Sequence, residues 1–311
     1  MPFSDVYRRQ VSLLVRTIPH VAEENCFALK GGTAINLFYR DMQRLSVDID
    51  LTYLPIADRK ESLADIEAAL KRIGSRIKKA DKRITVNESA PGTQDTINKL
   101  VVRTPDRVQI KIEVTPVLRG CVYDPKIMSV SARTEDAFGF AETNVLSFPD
   151  LFAGKIVAAL DRQHPRDLFD VHQLLENEGV SAELRTALIV YLISHDRSPH
   201  SLLSATRRDL AHDYEQNFRG MAETDVAIEV LQNTHTATAR NVLREMPEDH
   251  QRFLVSFYRR EPDWSLLGVD GAQDLPAVKW REANLDKAGE ETRNSIADAL
   301  ESLFATPTSS G

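Results

Sequence analysis

Along residues 4–24, Val11, Leu14, Val15, Ile18 and Val21 recur at helical spacing, which predicts an opening helix with one buried face. The run Cys26-Phe27-Ala28-Leu29 reads as a short strand leading into Gly31-Gly32. Ile35, Leu37 and Phe38 then predict a helix over 33–42, with the Thr33 hydroxyl as its N-cap. In the next stretch, Arg44-Leu45-Ser46-Val47-Asp48-Ile49-Asp50-Leu51, the period changes to two. Leu45, Val47, Ile49 and Leu51 fall on one face of a strand, and Ser46, Asp48 and Asp50 on the other. Pro55 ends it. Leu63, Ile66, Leu70, Ile73 and Ile77 predict a helix over 58–78, followed by strands at 83–87, 96–103 and 108–114. Pro91-Gly92 and Pro105-Asp106 supply the turns between those strands.

After Pro149 the alternation disappears and helical periodicity continues to about Phe304. Helices are expected over 149–161, 166–177, 182–194, 203–220, 224–243 and 248–259, with one or two more after Pro276. The pattern predicts an α/β domain over 1–147, a mixed sheet flanked by helices. An all-helical domain follows over 148–305, and residues 306–311 form a disordered tail.

Composition narrows the class. A chain of 311 residues with 42% hydrophobic and 27% charged positions has ample material for a core. No window has the apolar length of a membrane span, and the N-terminus lacks the features of a signal peptide, so a cytoplasmic location without a membrane partner is expected. Cys26 and Cys121 form neither a disulfide framework nor a zinc pattern, and each reads as a small buried hydrophobe. The net charge of −7 excludes a globally basic nucleic-acid coat. Any RNA contact needs a local patch, and Lys71 to Arg83 carries seven positive charges against one negative. The competing reading of that run is a solvated helix end.

The polar face of the aspartate strand is poor packing material, because unpaired buried carboxylates are strongly disfavoured. A divalent cation with oxygen ligands compensates them. A glycine pair lets a backbone approach phosphates closely, at the start of a helix whose N-terminus favours anions. Together these point to nucleotide chemistry. In the strand 108–114, Lys111 and Glu113 share the polar face, which makes Glu113 a candidate third carboxylate; the alternative is a solvent-facing residue on a half-exposed sheet.

Two later groups carry chemistry less directly. Lys155 falls inside the apolar stripe of its helix, so its ammonium must snorkel, pair with a carboxylate or bind an anion. Pro165-Arg166-Asp167 is a helix start, and Arg166 and Asp170 have the spacing of a simple ion pair. The histidines show no paired ligand spacing, and no nucleophile elbow is present. Trp264 and Trp280 read as packing residues.

Taken in order, Gly31-Gly32-Thr33, Arg44-x-Ser46-x-Asp48-Ile49-Asp50, Lys155 and Arg166-Asp167-x-x-Asp170 resemble the signature of the AbiEii branch of the DNA polymerase β-type nucleotidyltransferases. That branch is the toxin half of bacterial toxin–antitoxin pairs used in phage defence (abortive infection). The likeness spans residues 31 to 170; beyond about 180 it is only generally helical. It implies transfer of a nucleoside monophosphate from an NTP to an acceptor, with release of pyrophosphate. By the same resemblance Gly31, Gly32 and Thr33 hold the triphosphate, and Ser46 steadies that turn or touches a phosphate. Asp48 and Asp50 bind Mg²⁺ (or Mn²⁺), with Glu113 as the candidate third metal ligand from its place on the strand 108–114 and not from the resemblance, and Lys155 neutralises phosphate charge. Asp167 is then a catalytic-site acid, with Arg166 beside it in nucleotide binding. The expected site lies between the two domains, the expected acceptor is tRNA, and a cognate antitoxin is the expected protein partner. A transferase acting on protein or a small molecule, and a nucleotide-binding module without turnover, remain as alternatives.

Overall fold

The computed structural model describes residues 3–90 and 96–305; the expected turn at Pro91-Gly92 and the tail 306–311 lie outside the described residues. The chain divides into two compact units. One runs to Ser147 and regains Phe218–Asp225, and the other holds Phe148–Asn217 and the chain from Val226 onward.

The first unit begins with α1 (Asp5–Ala22), which buries Val11, Leu14, Val15, Ile18 and Val21, as its spacing predicts. Strand β1 (Phe27–Lys30) leads directly into α2 (Gly31–Ala34), which continues as a π-helical turn over Ile35–Tyr39. Then come β2 (Asp48–Tyr53), α3 (Arg59–Ala80), β3 (Thr85–Ser89), β4 (Lys99–Arg103), β5 (Gln109–Val114), β6 (Lys126–Ser129), α4 (Ala132–Phe138) and β7 (Glu142–Val145). The seven strands described form one mixed sheet in the order β3-β4-β5-β2-β1-β7-β6. Within it β2 runs parallel to β5 and β1 parallel to β7, while the remaining pairs are antiparallel.

The apolar positions of β2, β4 and β5 (Ile49, Leu51, Leu100, Val102, Ile110, Ile112, Val114) are buried almost completely. Helices α1 and α3 pack on the sheet and on each other. Asp58 starts α3 by accepting from the backbone N–H groups of Lys60 and Glu61, an N-cap that satisfies two orphan donors. Strands β6 and β7, four residues each and largely polar or exposed in β6, have no counterpart in the sequence pattern.

In the second unit, α5 (Phe148–Arg162) packs on α6 (Pro165–Asn177) and α7 (Ala182–Ile193), and α6 packs on α10 (Ile228–Arg244). The helix expected over 203–220 is broken. Helix α8 (Pro199–Leu203) ends, α9 (Ala211–Asn217) is short, and the chain then returns to the first unit over Phe218–Asp225. The apolar residues Phe218 and Met221, which had suggested helical spacing, are buried in that return. Helices α11 (Glu248–Tyr258), α12 (Pro276–Ala288) and α13 (Glu290–Ala305) complete the unit. Trp264 packs on Phe253 with ring centroids 5.0 Å apart, but Trp280 is 39% exposed, so only the first fits the packing reading. Among the described residues no helix is long and apolar enough to cross a membrane.

Candidate functional site

The register of the sheet assembles the polar face. Asp50 on β2 lies opposite Lys30 on β1 and Glu113 on β5, and Glu113 lies opposite Lys99 on β4. Asp48 lies opposite Lys111. Residues paired across strands point to the same side, so one half-buried face carries three carboxylates interleaved with lysines. Lys30 Nζ donates to Thr115 Oγ1 at 2.8 Å, and Lys99 Nζ stands 3.4 Å from Glu113 Oε2. Glu113 is thus beside Asp50, as expected, but its side chain, 45% exposed, turns its carboxylate to Lys99. Among the described residues no group of three or more His, Cys, Asp or Glu side chains is gathered closely enough to hold a metal ion. Asp48 and Asp50 on their own fit a magnesium site, because Mg²⁺ is commonly held by one or two carboxylates with waters and substrate phosphates as the other ligands.

The glycine turn is built against this strand. Gly31 has φ +72°, a conformation open to glycine and strained for other residues, and a Cβ there would stand 2.7 Å from Asp50 Oδ2. A Cβ on Gly32 would stand 2.5 Å from Arg44 Nη2 and 2.9 Å from Ser46 Oγ. Gly31 is therefore required by the close approach of the Asp50 carboxylate, and Gly32 leaves room for the buried Arg44 guanidinium and the Ser46 hydroxyl, independently of any phosphate. Thr33 differs from expectation. The helix begins at Gly31 with Lys30 as its N-cap, and Thr33 is fully buried with its hydroxyl donating to the Asp48 carbonyl. Its hydroxyl fixes the first aspartate and does not cap the helix.

Three residues here have contacts to which the sequence pattern assigns no role: Lys30, Asn36 and Arg44, of which Arg44 alone stands in the family motif. Asn36 Nδ2 donates to the Gly32 carbonyl at 3.0 Å, and its Oδ1 accepts from Arg44 N at 3.3 Å. Arg44 is 1% exposed, and its Nη1 donates to the Leu45 carbonyl at 2.9 Å. A polar residue between Ile35 and Leu37, at a helical position that is otherwise apolar, was the available signal for Asn36.

In the second unit, Lys155 does not snorkel. It is buried, with Nζ 2.8 Å from Asp167 Oδ1 and 3.2 Å from Asp170 Oδ2. Arg162 Nε reaches Asp167 Oδ2 at 2.6 Å, while 61% of its side chain is exposed. Burial pushes the Asp167 carboxyl up, but Lys155 and Arg162 outweigh it and hold it far below the usual carboxylate range. Of the three fates open to Lys155, the structure selects pairing with carboxylates. Arg166, half-buried in the first turn of α6, gives its backbone N–H to His164 Nδ1 at 3.2 Å. Burial, helped by Arg166, pulls His164 down to about 4, so it caps the helix as a neutral ring.

A family profile described as the nucleotidyl transferase AbiEii toxin of type IV toxin–antitoxin systems matches residues 12–280. The chain belongs to that family. It is accordingly a nucleotidyltransferase toxin whose substrate is an NTP. A search of curated proteins gave no match. Among solved structures, the fold is similar to MenT4, the nucleotidyltransferase toxin Rv2826c from Mycobacterium tuberculosis H37Rv. The TM-score is 0.57 at 15% identity, over 96% of this chain and 95% of that one.

The basic run of this AbiEii toxin is less basic than its sequence suggests. Arg72 and Arg76 both clamp the buried Glu24 carboxylate, at 2.7 and 2.6 Å. Lys71 pairs with Glu67 and Arg83 with Asp81. Lys78, Lys79 and Lys82 are exposed and make no ion pair among the described residues. Cys26 is half-buried, and burial, with Asp65 and Glu24 nearby, pushes its thiol up to about 12, which leaves it unreactive.

Proposed function

We propose that this toxin uses Mg²⁺ (or Mn²⁺) held by Asp48 and Asp50 to transfer a nucleoside monophosphate to the acceptor end of tRNA. Growth arrest in phage defence, relieved by a cognate antitoxin, would follow. One observation carries the reading: the glycine turn, whose backbone suits phosphates, is packed directly onto the Asp50 carboxylate. A triphosphate on that turn lies next to the carboxylates that would hold the cation.

In the reaction the acceptor hydroxyl oxygen attacks the α-phosphorus and its proton passes to solvent, the bond from that phosphorus to its bridging oxygen breaks, and pyrophosphate leaves. The bound cation supplies charge neutralisation at the phosphate oxygens. The N–H groups of Gly31 and Gly32 hold phosphate oxygens, Thr33 anchors Asp48 and Ser46 steadies the turn. Lys30 and Lys111, opposite the two aspartates, balance their charge. Glu113 stands in reserve as a third ligand, engaged by Lys99. In the second unit Lys155 and Asp167 are assigned to the catalytic set, with Arg166 in nucleotide binding. The support there is the buried Lys155–Asp167–Asp170 group, which presents Arg162 at the surface.

A second reading, in which the acceptor is a protein or a small molecule, is favoured by the internal neutralisation of Lys71, Arg72, Arg76 and Arg83. Incubation with each α-labelled NTP, with and without total tRNA, decides between them. Label in RNA supports the first reading, and label in protein or a small product the second. Nucleotide bound without any labelled product contradicts both.

A further inference from the structure

Between α9 and α10, Phe218–Asp225 leaves the helical unit and joins the catalytic one. Its backbone pairs with the segment just before the aspartate strand. Leu45 N donates to the Met221 carbonyl at 2.8 Å, and Glu223 N donates to the Gln43 carbonyl at 2.9 Å, on either side of an antiparallel bridge between Arg44 and Ala222. Phe218, Met221 and Ala222 are buried. Arg133 clamps the Glu223 carboxylate with both terminal nitrogens, at 2.6 and 2.8 Å. This short ladder fixes the backbone of Arg44, whose guanidinium lies within the unit under Gly32.

Resting on the reading of the glycine turn as the triphosphate site, we propose that Arg44, braced by Met221–Glu223, is the positioning residue that sets this turn for nucleotide. The guanidinium fills the space that a Gly32 side chain would occupy, so the turn rests on it. The guanidinium is also a fixed, buried positive charge beside Gly32, and such a charge raises the turn's attraction for phosphate more strongly than it would in water. Asn36 links the two sides, donating to the Gly32 carbonyl and accepting from Arg44 N. The hydrogen bonds from Met221–Glu223 hold the whole assembly from outside, so a segment far along the chain from its partner at Gln43–Leu45 tunes nucleotide affinity.

The test compares Arg44→Met, Arg44→Lys, Glu223→Pro and Glu223→Ala by steady-state transfer, equilibrium NTP binding and melting temperature. Losing a hydrogen bond made by a charged group corresponds to about a tenfold effect or more, so Arg44→Met should raise KM for NTP by about that factor, with a smaller change in kcat. Arg44→Lys keeps the charge without the fork and should recover part of the loss. Glu223→Pro removes the brace's N–H donor and should raise KM, whereas Glu223→Ala keeps the donor, loses only the ion pair and should raise it less. If Arg44→Met does not fold, Arg44→Lys and Glu223→Pro carry the comparison alone. Unchanged KM in the folded Arg44 variants, or equal effects of the two Glu223 variants, overturns the proposal while wild-type NTP binding leaves the site reading intact. Failure of the wild type to bind any NTP overturns the site reading and this proposal with it.

Discussion

Gly31 and Asp50 are in direct contact, and a Cβ on the glycine would stand 2.7 Å from Oδ2 of the aspartate. The proposed phosphate turn and the proposed metal strand are therefore one piece of packing. Gly31→Ala must both adopt φ near +72° and displace that carboxylate. The left-handed backbone alone costs roughly 1–2 kcal/mol in a non-glycine residue. A shift of about 1 Å at a reacting group can cost on the order of a hundredfold in rate. Denaturant unfolding and kcat on the purified variant measure the two effects, and a variant as active as wild type would separate turn from strand.

The aspartate strand was legible because a period of two with carboxylates on one face is a strong local signal, and β2 and β5 sit in the parallel register that brings Glu113 beside Asp50. Arg44 and Thr33 were not legible in their true roles. Each acts through a contact with a residue distant in sequence or with a backbone group, Arg44 under Gly32 and Thr33 on the Asp48 carbonyl, and no periodicity encodes such contacts. The break of the expected helix at 203–220 was hidden for a related reason. Phe218 and Met221 are apolar because they pack in the first unit, and their spacing imitates an amphipathic helix. Lys155 was visible as an anomaly in an apolar stripe, but its choice of Asp167 and Asp170 depended on how α6 packs against α5.

That buried group makes a sharp stability prediction. Lys155→Met leaves Asp167 and Asp170 without their ammonium and should cost about 3–5 kcal/mol, as removal of one partner of a buried ion pair does. Adding Asp167→Asn and Asp170→Asn removes the uncompensated charge and should restore most of the stability without restoring transfer. Urea midpoints of the single and triple variants check this. A stable single variant would mean that the ammonium is not needed where it lies.

Acid should weaken the fold through His164. Its ordinary value is 6.5, and burial with Arg166 lowers it to about 4 in the folded protein. Between those values the unfolded chain binds more protons, so stability falls as pH drops from about 6.5 towards 4 and the effect is complete below that. Burial lowers His235 and His250 in the same direction. Asp167, held far below its ordinary value, adds a further loss once the pH falls below the ordinary carboxylate range. His164→Asn keeps an N-cap acceptor without a titrating ring. Its melting temperature should decline less between pH 6.5 and 4.5 than that of wild type, and an identical decline would remove His164 from the account.

For the acceptor, the informative lysines are Lys78, Lys79 and Lys82, since the other members of the basic run are paired within the protein. Reversing all three to Glu should impair RNA labelling while leaving KM for NTP unchanged. If all three meet phosphates, the slope of log affinity against log salt should fall by about three, at roughly 0.9 per contact. Unchanged labelling and slope would make this surface only the solvated end of α3.

The most direct measurement of the central claim is transfer from labelled NTP by Asp48→Asn and Asp50→Asn, with melting temperatures recorded alongside. Asn keeps the size of each side chain and removes the charge that would hold the cation. The account predicts folded proteins with melting temperatures near that of wild type, no labelled product and no pyrophosphate release at any Mg²⁺ concentration. Full transfer by either folded variant would contradict it.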